Sequence, residues 1–178
     1  GGMISMDYQQ EPHSIVWSAR ADGQLIGFTY NKEQEVLGWH RHILGGTNAQ
    51  VKHVACIPGA DNDELWAITT RTIDGGTKQY IERLDPEFYP SSSEDKDGAF
   101  FVDCGLSYNG TPITLVSGLD HLKGETVSIL GDGSVRAPKV VNSSGQITLD
   151  RPASVIHVGL AYTAKLRSIR YEAGGNEG

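Results

Sequence analysis

The sequence predicts an all-β protein, with antiparallel blade-like meanders of the β-propeller kind followed by a small β-barrel or sandwich. Three observations predict it. Short runs rich in Val, Ile, Thr and aromatic residues recur along the chain and are cut by Gly, Pro, Asn and Asp. The 22 glycines among 178 residues suit many turns rather than long helices. Amphipathic helical periodicity is almost absent.

Taken in order, Gly1-Gly2 before Met3 reads as an addition or a cut from a longer chain, and a polar lead follows. Residues 14–20 (SIVWSAR) form a strand, Ala21-Asp22-Gly23 a turn, and residues 24–30 the return strand; after the loop 31–35, residues 36–44 form a third strand. The same organisation returns in residues 51–84 (VKHVACIPGADNDELWAITTRTIDGGTKQYIERL), with strands at 51–57, 65–73 and 78–84. Pro58-Gly59 and the acidic loop 60–64 separate the first two, and Asp74-Gly75-Gly76 supplies the positive φ of a tight hairpin before the third. A repeat of roughly 35–40 residues is that of propeller blades. One such sheet cannot bury both faces alone, so it must stack on neighbours.

Residues 85–98 (DPEFYPSSSEDKDG) change texture and read as a linker. Beyond it, residues 99–108 are expected to pair with 111–116 around Asn109-Gly110. Residues 125–130 lead into the Gly131-Asp132-Gly133 turn, with short runs near Val135 and at Val140-Val141. Residues 146–149 alternate, Asp150-Arg151-Pro152 turns, and residues 154–162 form the last clear strand. The expected domains are therefore a meander region over 7–90, a small β-barrel domain over 91–172 and a disordered tail over 173–178.

The formal charge is −7, with seven basic against twelve acidic residues in 1–90 and eight against ten afterwards. No cluster of Lys and Arg offers the phosphate neutralisation that a nucleic-acid grip requires. No apolar run approaches the roughly 20 residues of a membrane span, and the N-terminus lacks a signal-peptide pattern. Cys56 and Cys104 have no metal-ligand spacing and read as buried or half-buried free thiols in a reducing compartment.

Several groupings invite chemistry. His40 and His42 share one face of a strand, and with His53 a metal site is conceivable, although packing and hydrogen bonding are favoured. Asp95-Lys96-Asp97-Gly98 resembles part of a calcium loop but lacks the closing glutamate, so a solvated turn is favoured. Asp61, Asp63 and Glu64 could supply paired carboxylates for glycoside hydrolysis, yet three acids in one loop more often make a soluble turn. Neither a nucleophile elbow nor a phosphate-cradling glycine loop is present. Trp17, Trp39 and Trp66, with Tyr30, Tyr80 and Tyr162, are expected in core and blade-to-blade packing rather than as a sugar platform. Arg71, Glu82 and Arg83 are placed for cross-strand charge pairs. No catalytic, cofactor-binding or metal-ligating residue is assigned.

The blocks VWSARADGQLIGFTYNKEQEVLGWHRH, VACIPGADNDELWAITTRTIDGGTKQYIERL and GLDHLKGETVSILGDGSV, followed by ITLDRPASVIHVGLAYTAKL, resemble consecutive parts of the phage tail tubular protein B family of tail nozzle or stabilisation proteins. The resemblance runs from Ser14 to about Leu166, and it is specific because the blocks occur in order. The second region also resembles the small β-barrel module first named in ubiquitin-activating enzymes, without that family's nucleotide site. The resemblance implies a structural, non-enzymatic virion protein of a phage or prophage tail, made in the host bacterial cytoplasm. Its implied partners are the tail tube and further copies of itself, with DNA passing during ejection without specific binding. Full family members are several times longer. Two alternatives stay open: a host-surface glycan or protein binding module, with loops 118–123 and 142–145 as candidates, and a cell-wall polysaccharide hydrolase resting on the acidic loop.

Overall fold

The computed structural model describes residues 2–91 and 95–168, and it is all-β: three antiparallel sheets with no closed barrel among the described residues. The expected disordered tail at 173–178 lies outside the described residues.

The first sheet is a four-stranded meander of β1 (Met3–Gln9), β2 (Ile15–Arg20), β3 (Leu25–Asn31) and β4 (Val36–His42), in that spatial order. The polar lead is thus a strand. In β1, MISMDYQ alternates with its polar members turned inward, the reverse of the usual pattern: Gln9 is buried and Ser5 and Asp7 half-buried, whereas Met6 and Tyr8 are exposed. Those inward groups have backbone to serve. Ser5 Oγ meets the Val54 backbone N–H at 3.1 Å and its carbonyl at 3.2 Å, Asp7 Oδ2 accepts from Cys56 N at 2.7 Å, and Gln9 Oε1 accepts from Trp17 Nε1 at 2.6 Å. The side chains of β1 thereby occupy an edge that would otherwise be left unpaired.

That edge belongs to the second sheet, of β5 (Thr47–Pro58), β6 (Asp63–Ile73) and β7 (Gly76–Arg83), again a meander. Asp74 and Gly75 both take positive φ, +50° and +71°, as the tight hairpin between β6 and β7 requires. Trp17, Ala19 and Leu25 from the first sheet share a core with Val51, Val54 and Leu65 from the second.

The third sheet has the order β10 (Ser134–Val140), β9 (Thr126–Gly131), β11 (Ile147–Leu160), β8 (Asp103–Val116). It is an open sheet of four strands. Two expected turns are absent: Asn109-Gly110 runs through the middle of β8, and Asp150-Arg151-Pro152 lies within β11. The reason is pairing. β11 partners β8 from Val116 to Asp103, and register shifts between Thr148 and Ala153 and between Ala153 and Val155 absorb the irregular residues as bulges. Asp132 and Gly133, at φ +50° and +66°, do make the expected hairpin. The largest core lies here, built on Leu119, Leu122, Val127, Ile147, Ile156 and Val158, and Ile73 at the end of β6 reaches into it.

The second and third sheets and the segment that leads out of the first meet at one buried arginine. Arg71 on β6 is fully buried; its Nε donates to Gly45 O at 2.8 Å, and its two terminal nitrogens grip both oxygens of Glu82 on β7. Gly45 N in turn donates to Asp103 Oδ2 on β8. Burial alone would lower the Arg71 pKa, but the Glu82 hydrogen bond and charge outweigh it and the pKa is raised. A Cβ on Gly45 would sit 2.4 Å from Ala161 O and one on Gly46, at φ +98°, 2.9 Å from Leu160 Cδ1. Gly45→Ala should therefore lower stability by about 2–3 kcal/mol through overpacking against backbone. Chemical denaturation checks this; a change under about 0.5 kcal/mol would mean the corner is loose.

Candidate functional site: an uncovered sheet face

The feature most in need of a function is the outer face of the first sheet. Directly opposed residues of an antiparallel pair share a face, so the registers give its composition row by row. Tyr8, Val16, Phe28 and Trp39 form one row across all four strands; Met6, Ser18, Ile26 and Arg41 form the next; Tyr30 and Leu37 continue the face. Trp39 is 63% exposed, Leu37 64% and Met6 62%. The rings of Phe28 and Trp39 pack at a 38° tilt with centroids 4.6 Å apart. A contiguous apolar face of this kind on a protein surface marks an interaction site.

One corner is hollowed. Met3, Arg20, Gln24, Ile26, Trp39 and Arg41 line an open depression of about 450 Å³, together with the edge of His40. Gln24 Oε1 is buried there without a hydrogen-bond partner. Arg20 pairs with Asp22 at 2.8 Å, while Arg41 has no ion pair among the described residues. The paired rows place no carboxylate on this face, although the chain carries net negative charge.

The opposite side of the same strands explains the geometry. Gly27 has no side chain, and a Cβ there would lie 2.1 Å from His40 Cε1, so His40 folds inward over β3. Strand alternation then turns Trp39 outward and His42 inward. His40 Nδ1 and His42 Nε2 lie 2.7 Å apart, Thr29 Oγ1 lies 3.1 Å from His40 Nε2, and both imidazoles pack on Trp17 at 5.4 and 5.0 Å. Burial lowers the His40 pKa; burial, then the charge of His40, brings His42 down to about 4. The two rings are thus neutral near pH 7 and share one proton between their facing nitrogens.

The other groupings resolve as structure. His53 turns to Ser5 Oγ at 3.1 Å, away from the His40–His42 pair. Among the described residues no group of three or more His, Cys, Asp or Glu side chains is placed to hold a metal ion. The acidic loop is divided: Asp63 Oδ2 accepts from the Gln10 and Glu11 backbone N–H groups at 2.7 and 3.1 Å, and Glu64 accepts from Trp66 Nε1 at 2.9 Å and Arg83 at 2.7 Å. Asp61 stays exposed. Asp95–Gly98 is a 3-10 turn in which Ser91 bonds Asp95 and the Asp97 carbonyl accepts from His157. Cys56 and Cys104 are free and half-buried, their thiols pushed up to about 12 by burial first and then by nearby carboxylates.

Of the tryptophans, Trp17 is core and Trp66 half-buried, but Trp39 faces solvent and corrects the expectation of burial. Tyr30 is likewise exposed, while Tyr80 is partly buried and donates from its hydroxyl to His121 O at 3.0 Å. Arg71, Glu82 and Arg83 do pair across strands, Arg83 with Glu64 rather than Glu82. Loops 118–123 and 142–145 are tied together by Leu119 N to Gly145 O at 2.9 Å over buried Leu119 and Leu122. A further pair escaped notice in the sequence, its members 50 residues apart: Ser107 and His157 stand opposite each other on β8 and β11. His157 Nε2–H donates to Asp97 O at 2.7 Å, which leaves Nδ1 to accept from the Ser107 hydroxyl at 2.6 Å.

No helix among the described residues is long and apolar enough to cross a membrane. No protein-family model matches the chain, and no curated protein matches it.

Proposed function

We propose that this chain is a structural β module of a phage or prophage tail nozzle of the tail tubular protein B class, working in assembly with the tail tube and with other copies of itself. The observation that carries the proposal is the uncovered row Tyr8–Val16–Phe28–Trp39 on a blade-like meander, a face that a further β-sheet would cover in a larger ring. The ordered sequence blocks and the second, adjoining meander support it. In this role the β strands supply rigid walls, and the negative net charge disfavours retention of DNA phosphates in a conduit. Antibodies raised against the chain should label purified tails at one end by electron microscopy; particles that lack the polypeptide altogether would end the proposal.

A further inference from the structure

We propose that Ser107 and His157 form a nucleophile and base pair that cleaves small uncharged carboxylic esters through an acyl-serine, an activity that goes beyond the tail role above and does not depend on it.

Strand register builds the pair. β8 and β11 pair without a shift from Asn109–Val155 to Leu106–Val158, so Ser107 stands directly opposite His157 and Asn109 directly opposite Val155. Ile156 and Val158 belong to the core, which leaves these four on the other face of the sheet. There the Phe100 ring meets His157 edge-on at 5.5 Å; the imidazole is buried and the serine stays exposed.

The Asp97 carbonyl can only accept, so its 2.7 Å contact puts a proton on His157 Nε2, and the neutral ring turns a bare lone pair on Nδ1 to the Ser107 hydroxyl at 2.6 Å. Ser107, Asn109, Val155 and His157 line an open depression of about 290 Å³ with Asp97 and Gly98. The Asn109 amide makes no hydrogen bond among the described residues and lies one row from Ser107 on the same face, placed to donate to a carbonyl oxygen that gains negative charge. A second serine and histidine pair shows the contrast. Ser5 Oγ lies 3.1 Å from His53 Nδ1, but it also accepts from Val54 N at 3.1 Å and reaches Val54 O at 3.2 Å, and His53 Nδ1 faces that same carbonyl at 3.3 Å. Backbone holds both members, and no free base is offered.

In the reaction, Ser107 Oγ adds to the ester carbonyl carbon as its proton passes to His157 Nδ1. The tetrahedral carbon expels the alcohol oxygen, which takes that proton, and an acyl-serine remains; water then repeats the sequence and releases the carboxylic acid. The Asp97 carbonyl holds the ring and its dipole steadies the imidazolium. With a carbonyl there rather than a carboxylate, the pair suits esters, whose leaving oxygen needs less assistance than an amine. The depression is at the small end of ligand pockets and, among the described residues, no Lys or Arg side chain lines it, which selects short acyl groups without negative charge.

The test treats the full 178-residue chain with a fluorophosphonate and, separately, with p-nitrophenyl acetate, and maps the adducts by peptide mass. A phosphonyl group on Ser107, and an acetyl group there during turnover, are expected, with Ser5 unmodified and p-nitrophenyl decanoate not turned over. Ser107→Ala should abolish both adducts. His157→Gln keeps a hydrogen-bonding side chain without a base and should slow both reactions about a hundredfold or more. Asn109→Ala should slow acetate release about tenfold or more without lowering the melting temperature. If His157→Gln does not fold, as read by circular dichroism, the exposed Ser107→Ala and the adduct map decide. A chain that neither reagent modifies at Ser107, labelling spread over Ser5 and other hydroxyls, or unchanged labelling of Ser107 in a folded His157→Gln overturns the inference. An unchanged rate in Asn109→Ala overturns the role given to that amide, and turnover of the decanoate overturns the size of the site.

Discussion

Arg71→Ala should destabilise the fold by about 3–4 kcal/mol, the largest single-residue effect expected in this chain, because it leaves the Glu82 carboxylate without its partner. The estimate sits at the low side of that range since Glu82 keeps 21% of its side chain in solvent. Three attachments go at once: the bidentate pair to Glu82, the bond to Thr69 Oγ1 at 3.0 Å and the bond to Gly45 O. Arg71 also lies 5.9 Å over the Tyr80 ring, whose hydroxyl holds the loop carrying His121. Loss of the arginine therefore loosens the second sheet from the third and frees the Gly45 corner. Thermal melting should show a midpoint lower by roughly 6–15 °C. Arg71→Lys should recover only part of the loss, since an ammonium cannot hold both carboxylate oxygens in the guanidinium fork. A change below about 1 kcal/mol would show that the second and third sheets are held together by their apolar core alone.

The second large effect is one of pH. His42 has its folded pKa near 4 against an ordinary value of 6.5. Above the ordinary value both folded and unfolded chains carry a neutral ring, and the full stability is present. As pH falls below 6.5 the unfolded chain binds a proton that the folded chain refuses, so stability declines until the folded ring also titrates near pH 4. The full shift would be worth about 3 kcal/mol, and water reaching the half-buried ring reduces this to about 2 kcal/mol. His42→Phe keeps an aromatic ring against Trp17 and removes the titration. Denaturant melts of both proteins between pH 7 and pH 4 share the same carboxylate background, so their difference isolates the histidine. The wild type should lose about 2 kcal/mol more than the variant over that window. Parallel curves would mean that His42 is solvated in the folded chain.

Much of the architecture was legible because local chemistry and long-range pairing agree. At Asp74-Gly75 and Asp132-Gly133 the turn residues fall between strands whose pairing runs unbroken up to the turn, and the hairpins form. At Asn109-Gly110 the same kind of dipeptide does not turn, since the long strand β11 offers partners to both sides and a bulge costs less than a lost ladder. Pro152 survives inside β11 for the same reason. The first strand was hidden by inversion: Ser5, Asp7 and Gln9 look solvent-directed in sequence, yet they serve buried backbone and Trp17, and the apolar Met6 and Tyr8 are left outside. The candidate face was half legible. Trp39 was visible as a strand-borne aromatic, but its direction depends on Gly27 across β3 making room for His40, a register that single-chain periodicity does not give. The Arg71–Glu82 pair was readable from the meander, whereas Gly45 and Asp103, which complete the junction, come from separate parts of the chain and share only the fold.

The assembly surface is tested most directly by placing a photo-crosslinking p-benzoylphenylalanine at Leu37, on the first sheet's outer face, and mapping where it attaches in the purified full chain. The proposed assembly role predicts intermolecular products that join residue 37 to a second copy or, in purified tails, to a neighbouring tail protein. No intermolecular product from residue 37, in the purified chain or in tails, would contradict it.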